Sequence, residues 1–147
     1  MKNIVHIVGT GTIGEPLIGL FTDFKQHLGI DEVTFHKRTP MKTERAKVAH
    51  LMSRGAHLAT EEDKSADFEA LGHMVSYTAQ EALERATVVI DCTPAGNDNK
   101  EAYYKHLKGP RGFVAQGSEF GFGKMYARGI NDSALIPGED RFLQVVS

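Results

Sequence analysis

The segment Gly9-Thr10-Gly11-Thr12-Ile13-Gly14 carries the most specific chemistry in this chain. Its spacing is G-x-G-x-x-G, between an apolar run and a helical stretch. In such a turn Gly9 bends the chain off a strand and Gly11 leaves the backbone bare against a pyrophosphate. Gly14 then lets the following helix pack on that strand. N–H groups at the helix start, with the helix dipole, attract the phosphate oxygens. Thr12 and Glu15 have capping-box spacing, and Pro16 falls in the first helical turn, where a missing N–H does no harm. Glu15 is expected to point away from a bound phosphate. Roughly twenty residues on, a second apolar run ends in His36-Lys37-Arg38-Thr39-Pro40. An NAD-selective site places an acid there to accept from the ribose 2′-hydroxyl. Asp31 and Glu32 instead stand at the start of that run, at the wrong end of a sheet. Two cations and a hydroxyl suit a 2′-phosphate, with Arg38 able to grip it through a bidentate fork. Lys37, Arg38 and Thr39 therefore predict NADP in preference to NAD.

Other reactive residues have plainer readings. Cys92, the only thiol, ends the most apolar β-branched run, where a free cysteine behaves as a small core residue. Asp91 stands at a strand end beside a helix start, the place of a cap rather than a general base. The seven histidines, His6, His27, His36, His50, His57, His73 and His106, form no H-x-H or H-x-x-x-H pair, and no Cys/His spacing suits zinc. His6 alternates with apolar neighbours and reads as a satisfied strand histidine. The run from Gly109 to Gly129, with Arg111, Lys124 and Arg128, reads as a surface loop, or as one closing over phosphates. Phe113, Phe120 and Phe122 read as packing groups.

The elements that would position these residues alternate along the chain. Ile4–Val8 reads as a buried strand and 13–28 as a helix, with Ile13, Leu17, Leu20, Phe21, Phe24 and Leu28 at helical spacing. Val33–Phe35 is a strand. Residues 42–54 form a helix with Ala46, Ala49 and Leu51 among its inward residues, and 57–59 a short strand. The acidic stretch 61–71 reads as a solvated surface helix. Strands follow at 74–77, 87–92 and 112–116, and helices at 79–85 and 97–107. This β-α-β-α-β order is the signature of an α/β fold: a Rossmann-type doubly wound, mostly parallel sheet spanning residues 1–147 as one domain. The cofactor should lie at the switch point between the first strand and 87–92. With 147 residues, 41% hydrophobic and 24% charged, the chain has enough apolar content for a real core. A net charge of −2 argues against a general nucleic-acid or anionic-membrane binder. One cysteine excludes an internal disulfide framework. No run approaches the ~18 apolar residues of a membrane span, and the start lacks signal-peptide features. A cytoplasmic protein is the expectation.

The segment Val88-Val89-Ile90-Asp91-Cys92-Thr93-Pro94-x-Gly96, with Gly11-Thr12-Ile13-Gly14 and Ala115-Gln116-Gly117-x-Glu119, resembles the archaeal-type (type II) glyceraldehyde-3-phosphate dehydrogenases. The likeness continues through Asn131-Asp132-Ser133-Ala134-Leu135 to Val145-Val146-Ser147, and is most specific over 87–119. It implies a Rossmann domain binding NADP or NAD in a tetrameric enzyme, a homo-oligomer that oxidatively phosphorylates glyceraldehyde 3-phosphate. Carried over, Thr12 and Ile13 would contact the pyrophosphate. Thr93, Pro94 and Gly117 would line the far ribose and nicotinamide side. In that family the segment like Val145–Ser147 is followed by the nucleophilic cysteine and a catalytic domain. On that resemblance the chain is a cofactor domain without its nucleophile, inactive alone. Two alternatives remain at this point: a freestanding dinucleotide-binding or redox-sensing module, or the cofactor domain of another Rossmann dehydrogenase, such as a homoserine dehydrogenase or dihydrodipicolinate reductase.

Overall fold

Short β-branched runs become strands, and the polar stretches between them become helices, in the computed structural model, which describes residues 1–116 and 120–145. The strands are β1 (Ile4–Val8), β2 (Glu32–His36), β3 (His57–Thr60), β4 (Val75–Thr78), β5 (Val88–Asp91), β6 (Gly112–Gln116), β7 (Lys124–Tyr126) and β8 (Phe142–Val145). The α-helices are α1 (Gly14–Asp23), α2 (Lys25–Leu28), α3 (Arg45–Ser53), α4 (Ser65–Ala70), α5 (Ala79–Arg85) and α6 (Gly96–Ala102). The strands form one sheet in the order β4-β3-β2-β1-β5-β6-β8-β7, and every adjacent pair is parallel. This is the α/β, Rossmann-type doubly wound arrangement that the alternation predicts.

Parallel strands joined by helical crossovers are covered on both faces, so they need apolar residues at successive positions. Val5 and Ile7 of β1 enter one core with Ile18, Val33, Phe35, Leu51, Leu58, Phe68 and Ile90. Val89 of β5, one residue before Ile90, enters the other with Leu83, Tyr104, Phe113 and Phe122. Each fully buried side chain of this size contributes about 1.5–3 kcal/mol. His6 points to the second face, 1% exposed, and its Nδ1 shares a 2.7 Å hydrogen bond with Thr34 Oγ1. Burial, helped by the charge of His36, lowers its pKa to about 3, so the ring is neutral near pH 7. At the amino end of the sheet Arg85 donates to both carboxylate oxygens of Glu32, at 3.1 and 2.9 Å. Tyr77 adds a third bond at 2.9 Å. Glu32 thus ties β2, β4 and α5 together at the amino end of β2.

The helices depart from their expected faces. The predicted helix over 13–28 is two helices broken at Phe24, where the backbone leaves α-helical dihedrals. Its buried residues are Gly14, Ile18, Gly19 and Thr22. Leu20, Phe24 and Leu28, expected inside, are about half exposed at 51%, 49% and 53%. The glycines are what this rotation needs: a Cβ on Gly14 would overlap the Gly9 carbonyl, and one on Gly19 the Arg54 guanidinium. In α3 the inward residues are Val48 and Leu51, whereas Ala46 and Ala49 are exposed. The glycine-rich region after β6 also holds more structure than a loop. Residues 124–126 form β7 at the sheet edge, and β8 lies between it and β6. Lys124 donates to Ala134 O at 2.6 Å and Asp140 Oδ2 at 2.7 Å, which pins the connection between the two strands.

Candidate functional site

The strand order reverses between β1 and β5, so their adjacent carboxyl ends open a crevice. Register places Val8 beside both His36 and Asp91. Gly9 therefore emerges between the ends of β2 and β5. It has φ +105°, a conformation that strains any residue with a Cβ. A Cβ there would also lie 3.1 Å from the Thr93 methyl. On Gly14 a Cβ would overlap the Gly9 carbonyl oxygen, so this glycine is demanded by helix–loop packing. Gly11 differs: no atom lies within 4 Å of its Cβ position. Protein packing gives no reason for a glycine there, whereas a ligand passing over the bare backbone does.

Ile13, not Thr12, is the N-cap of α1, and no side chain caps it. The expected Thr12–Glu15 capping box is therefore absent. Thr78 and Glu81 form one instead, at the start of α5. Glu15 turns to Lys47, with 3.6 Å between Oε2 and Nζ. The uncapped first turn of α1 leaves N–H groups for an anion, and Thr12 and Ile13 are exposed beside them.

At the end of β2, Arg38 and Thr39 are exposed, as a phosphate ligand requires, but Lys37 is only 7% exposed. Its ammonium pairs with Glu44 and lies 3.4 Å from Thr10 Oγ1. Lys47 completes the group, donating to Glu44 Oε1 at 3.1 Å and to the Thr10 carbonyl at 3.2 Å. Hydrogen bonds from the two lysines, Lys37 first, hold the Glu44 carboxyl below its usual range. His36 Nε2 lies 2.7 Å from Glu61 Oε2, and the charge of Arg38 reaches the same carboxylate. Thr10, Glu44 and Lys47 escaped the sequence reading. Thr10 occupies an unspecified position of the motif, and the two charges sit in a helix whose polar side reads as solvated.

At the end of β5, Asp91 is 1% exposed and fully engaged. Its Oδ1 accepts from the Thr93 N–H at 2.8 Å and the Thr93 hydroxyl at 2.6 Å. Its Oδ2 accepts from Asn99 Nδ2 at 2.9 Å and Tyr104 OH at 2.5 Å. The cap expected of Asp91 is not formed, since the N-cap of α6 is Ala95 and no side chain caps it. Asp91 instead closes a turn on Thr93 and clamps the 91–104 segment through Asn99 and Tyr104. Thr93 consequently presents its methyl, not its hydroxyl, to the Gly-rich turn. Pro94 beside it is exposed. Burial, and then the Asp91 charge, push the Cys92 thiol up to about 12. It packs against the first core and is a poor nucleophile at neutral pH. Gly117 lies outside the described residues. Among the described residues no group of three or more His, Cys, Asp or Glu could hold a metal, and no helix is long and apolar enough to cross a membrane. An open hollow of about 400 Å³ lies between α5 and residues 102–109, and none of its lining residues belongs to the Gly-rich turn.

Neither a protein-family model nor a curated protein matches this chain. Among solved structures, an imine reductase from Pseudomonas sp. is similar, at 21% sequence identity and a TM-score of 0.47. The match covers 78% of this chain and 32% of the reductase, so the chain corresponds to about a third of that protein.

Proposed function

We propose that the chain is a nicotinamide-dinucleotide-binding domain of an oxidoreductase, with NADP preferred to NAD. The observation that carries this is Gly11. It is a glycine that packing does not require, in open space, at an uncapped helix start on the switch point of a parallel sheet. The backbone of Gly11, Thr12 and Ile13 would hold the pyrophosphate, and Gly9 and Gly14 shape the turn that presents it. Arg38 and Thr39 would take the 2′-phosphate, with Lys37 behind them. Thr93 and Pro94 would bound the far ribose, and Gly117 joins them in this reading on the sequence resemblance alone. The residues fit the group, since the bare backbone, the exposed Arg38 and the lack of an Asp or Glu among residues 36–39 suit a phosphorylated dinucleotide. When bound, the nicotinamide would supply hydride chemistry, and this chain would bind and orient it.

The Asp91–Pro94 and Ala115–Gln116 segments support a finer reading. The chain would be the cofactor half of a phosphorylating aldehyde dehydrogenase of the glyceraldehyde-3-phosphate type, 1–147 forming one domain. Cys92, with its raised pKa, would not be the nucleophile, so the chain alone would not turn over an aldehyde. Calorimetric titration with NADP and NAD tests the primary reading. Saturable binding of both, tighter for NADP, is expected, and binding of neither at millimolar concentration would overturn it.

A further inference from the structure

Four charges surround the first residue after Gly9. Lys37 and Lys47 come from the end of β2 and from α3, and both reach Thr10, one at its hydroxyl and one at its carbonyl. Glu44 stands between them, taking Lys37 on Oε2 and Lys47 on Oε1. Glu15 lies 3.6 Å beyond Lys47. Two ammonium groups and two carboxylates sum to zero. A strand end that reads as doubly basic therefore presents one exposed cation, Arg38, while Lys37 is 93% buried (7% exposed) and already neutralised. A buried ammonium needs such a counter-ion, since an unpaired one is costly. The counter-ion also repels any phosphate that approaches the same lysines.

We propose that Glu44 is the residue that sets this site's preference between a 2′-phosphate and a free 2′-hydroxyl, by competing with the phosphate for Lys37 and Lys47. The inference rests on the dinucleotide reading above and deepens it. Glu44 is a specificity-determining residue, not a catalytic one. With the carboxylate in place the lysines serve the protein, holding Thr10 and the turn. A dianionic phosphate takes over part of that role as it binds, and the gain is reduced by the repulsion from Glu44. A nucleotide without the 2′-phosphate meets no such competition. The charge of Glu44 should thus change the ratio of the two affinities.

The test is calorimetric titration of the chain and of Glu44→Gln with NADP and NAD at one fixed salt concentration. The variant should raise the NADP-to-NAD affinity ratio about tenfold, the scale of one carboxylate acting on a doubly charged phosphate through a partly exposed site. Glu44→Asp, which keeps the charge, should stay near the parent ratio. An unchanged or lowered ratio in Glu44→Gln overturns the proposal, including the case in which both ligands weaken together and Glu44 merely supports the turn. Binding of neither dinucleotide to the parent chain would overturn the dinucleotide reading itself, and this inference with it. A second measurement needs no variant. In the unaltered protein, NMR titration of the Glu44 carboxyl should show its pKa rising when NADP is bound but not when NAD is bound. Equal titration in the two complexes overturns the proposal even if Glu44→Gln does not fold.

Discussion

Replacing Gly11 with alanine separates a glycine kept for a ligand from one kept for the fold. No atom lies within 4 Å of the new Cβ, and the Gly11 backbone lies outside the left-handed region. The methyl group therefore meets no protein. The unfolded chain loses freedom, so the folded state should gain about 0.4–1 kcal/mol, or a rise in Tm of a few degrees for a domain of this size. Binding should move the other way. A methyl on the path of the pyrophosphate displaces at least one backbone N–H bond to a charged oxygen, about 1.5–3 kcal/mol, or roughly tenfold to a hundredfold in Kd. Thermal denaturation and calorimetric titration with NADP read the two effects separately. The flanking glycines supply the contrast. Gly9→Ala must adopt φ +105° against the Thr93 methyl and should lose about 1–3 kcal/mol of stability. Gly14→Ala must displace the Gly9 carbonyl and should lose at least as much. A Gly11→Ala protein that is no less stable yet binds NADP as tightly as the parent would refute the reasoning, because the ligand would then not cross this backbone. A strongly destabilised one would refute the description of the turn.

Arg38→Ala should weaken NADP about tenfold or more through loss of a charge-assisted bidentate contact, and NAD by much less; equal loss of both would remove Arg38 from the 2′-phosphate site. Asp91→Asn turns an acceptor into a donor facing the Thr93 or Tyr104 donors, and should cost about 2–4 kcal/mol in chemical denaturation; a loss under 0.5 kcal/mol would show that the clamp is not needed. His6 has its folded pKa depressed to about 3, so between that value and 6.5 the unfolded chain binds a proton that the folded chain refuses. Its contribution is complete above pH 6.5 and is lost as pH falls, at roughly 1.4 kcal/mol per pH unit. Urea midpoints from pH 7 to 4 should follow this slope, and His6→Asn, which keeps a partner for Thr34, should flatten part of it; an unchanged slope would assign the acid sensitivity to other groups, such as the paired Glu32.

The parts of the fold legible in the sequence were those fixed by local pattern. Strand β6 and helix α5 fall at 112–116 and 79–85, where the sequence predicts them, because apolar runs between turn residues constrain the chain locally. The Thr78–Glu81 box that starts α5 escaped the sequence reading, though its Thr-x-x-Glu spacing is the signal that could have found it. The orientation of α1 was not legible. An apolar stripe at helical spacing points inward by default, yet here Gly14 and Gly19 are covered by the Gly9 carbonyl and the Arg54 guanidinium, and Leu20 and Phe24 are left half exposed. Strands β7 and β8 were hidden for a different reason: they are short, and their partners lie far along the chain or at the sheet edge. At the site, the backbone motif was readable because it is contiguous. The Lys37–Glu44–Lys47–Glu15 group was not, since it joins β2, α3 and α1 in space, and charge next to charge in sequence does not reveal which cations are already neutralised. Asp91 was readable as a structural acid rather than a base from its place at a strand end, but the expected cap is not formed, and the Tyr104 and Asn99 contacts that make it a clamp come from tertiary packing.

Amide hydrogen exchange of the chain with and without NADP tests the central claim most directly, because it reports where a ligand sits. New protection is expected at Gly11, Thr12 and Ile13 and at the Arg38–Thr39 loop, with the hollow at 102–109 unaffected. Protection confined to 102–109, or none at the Gly-rich turn under saturating NADP, would contradict it.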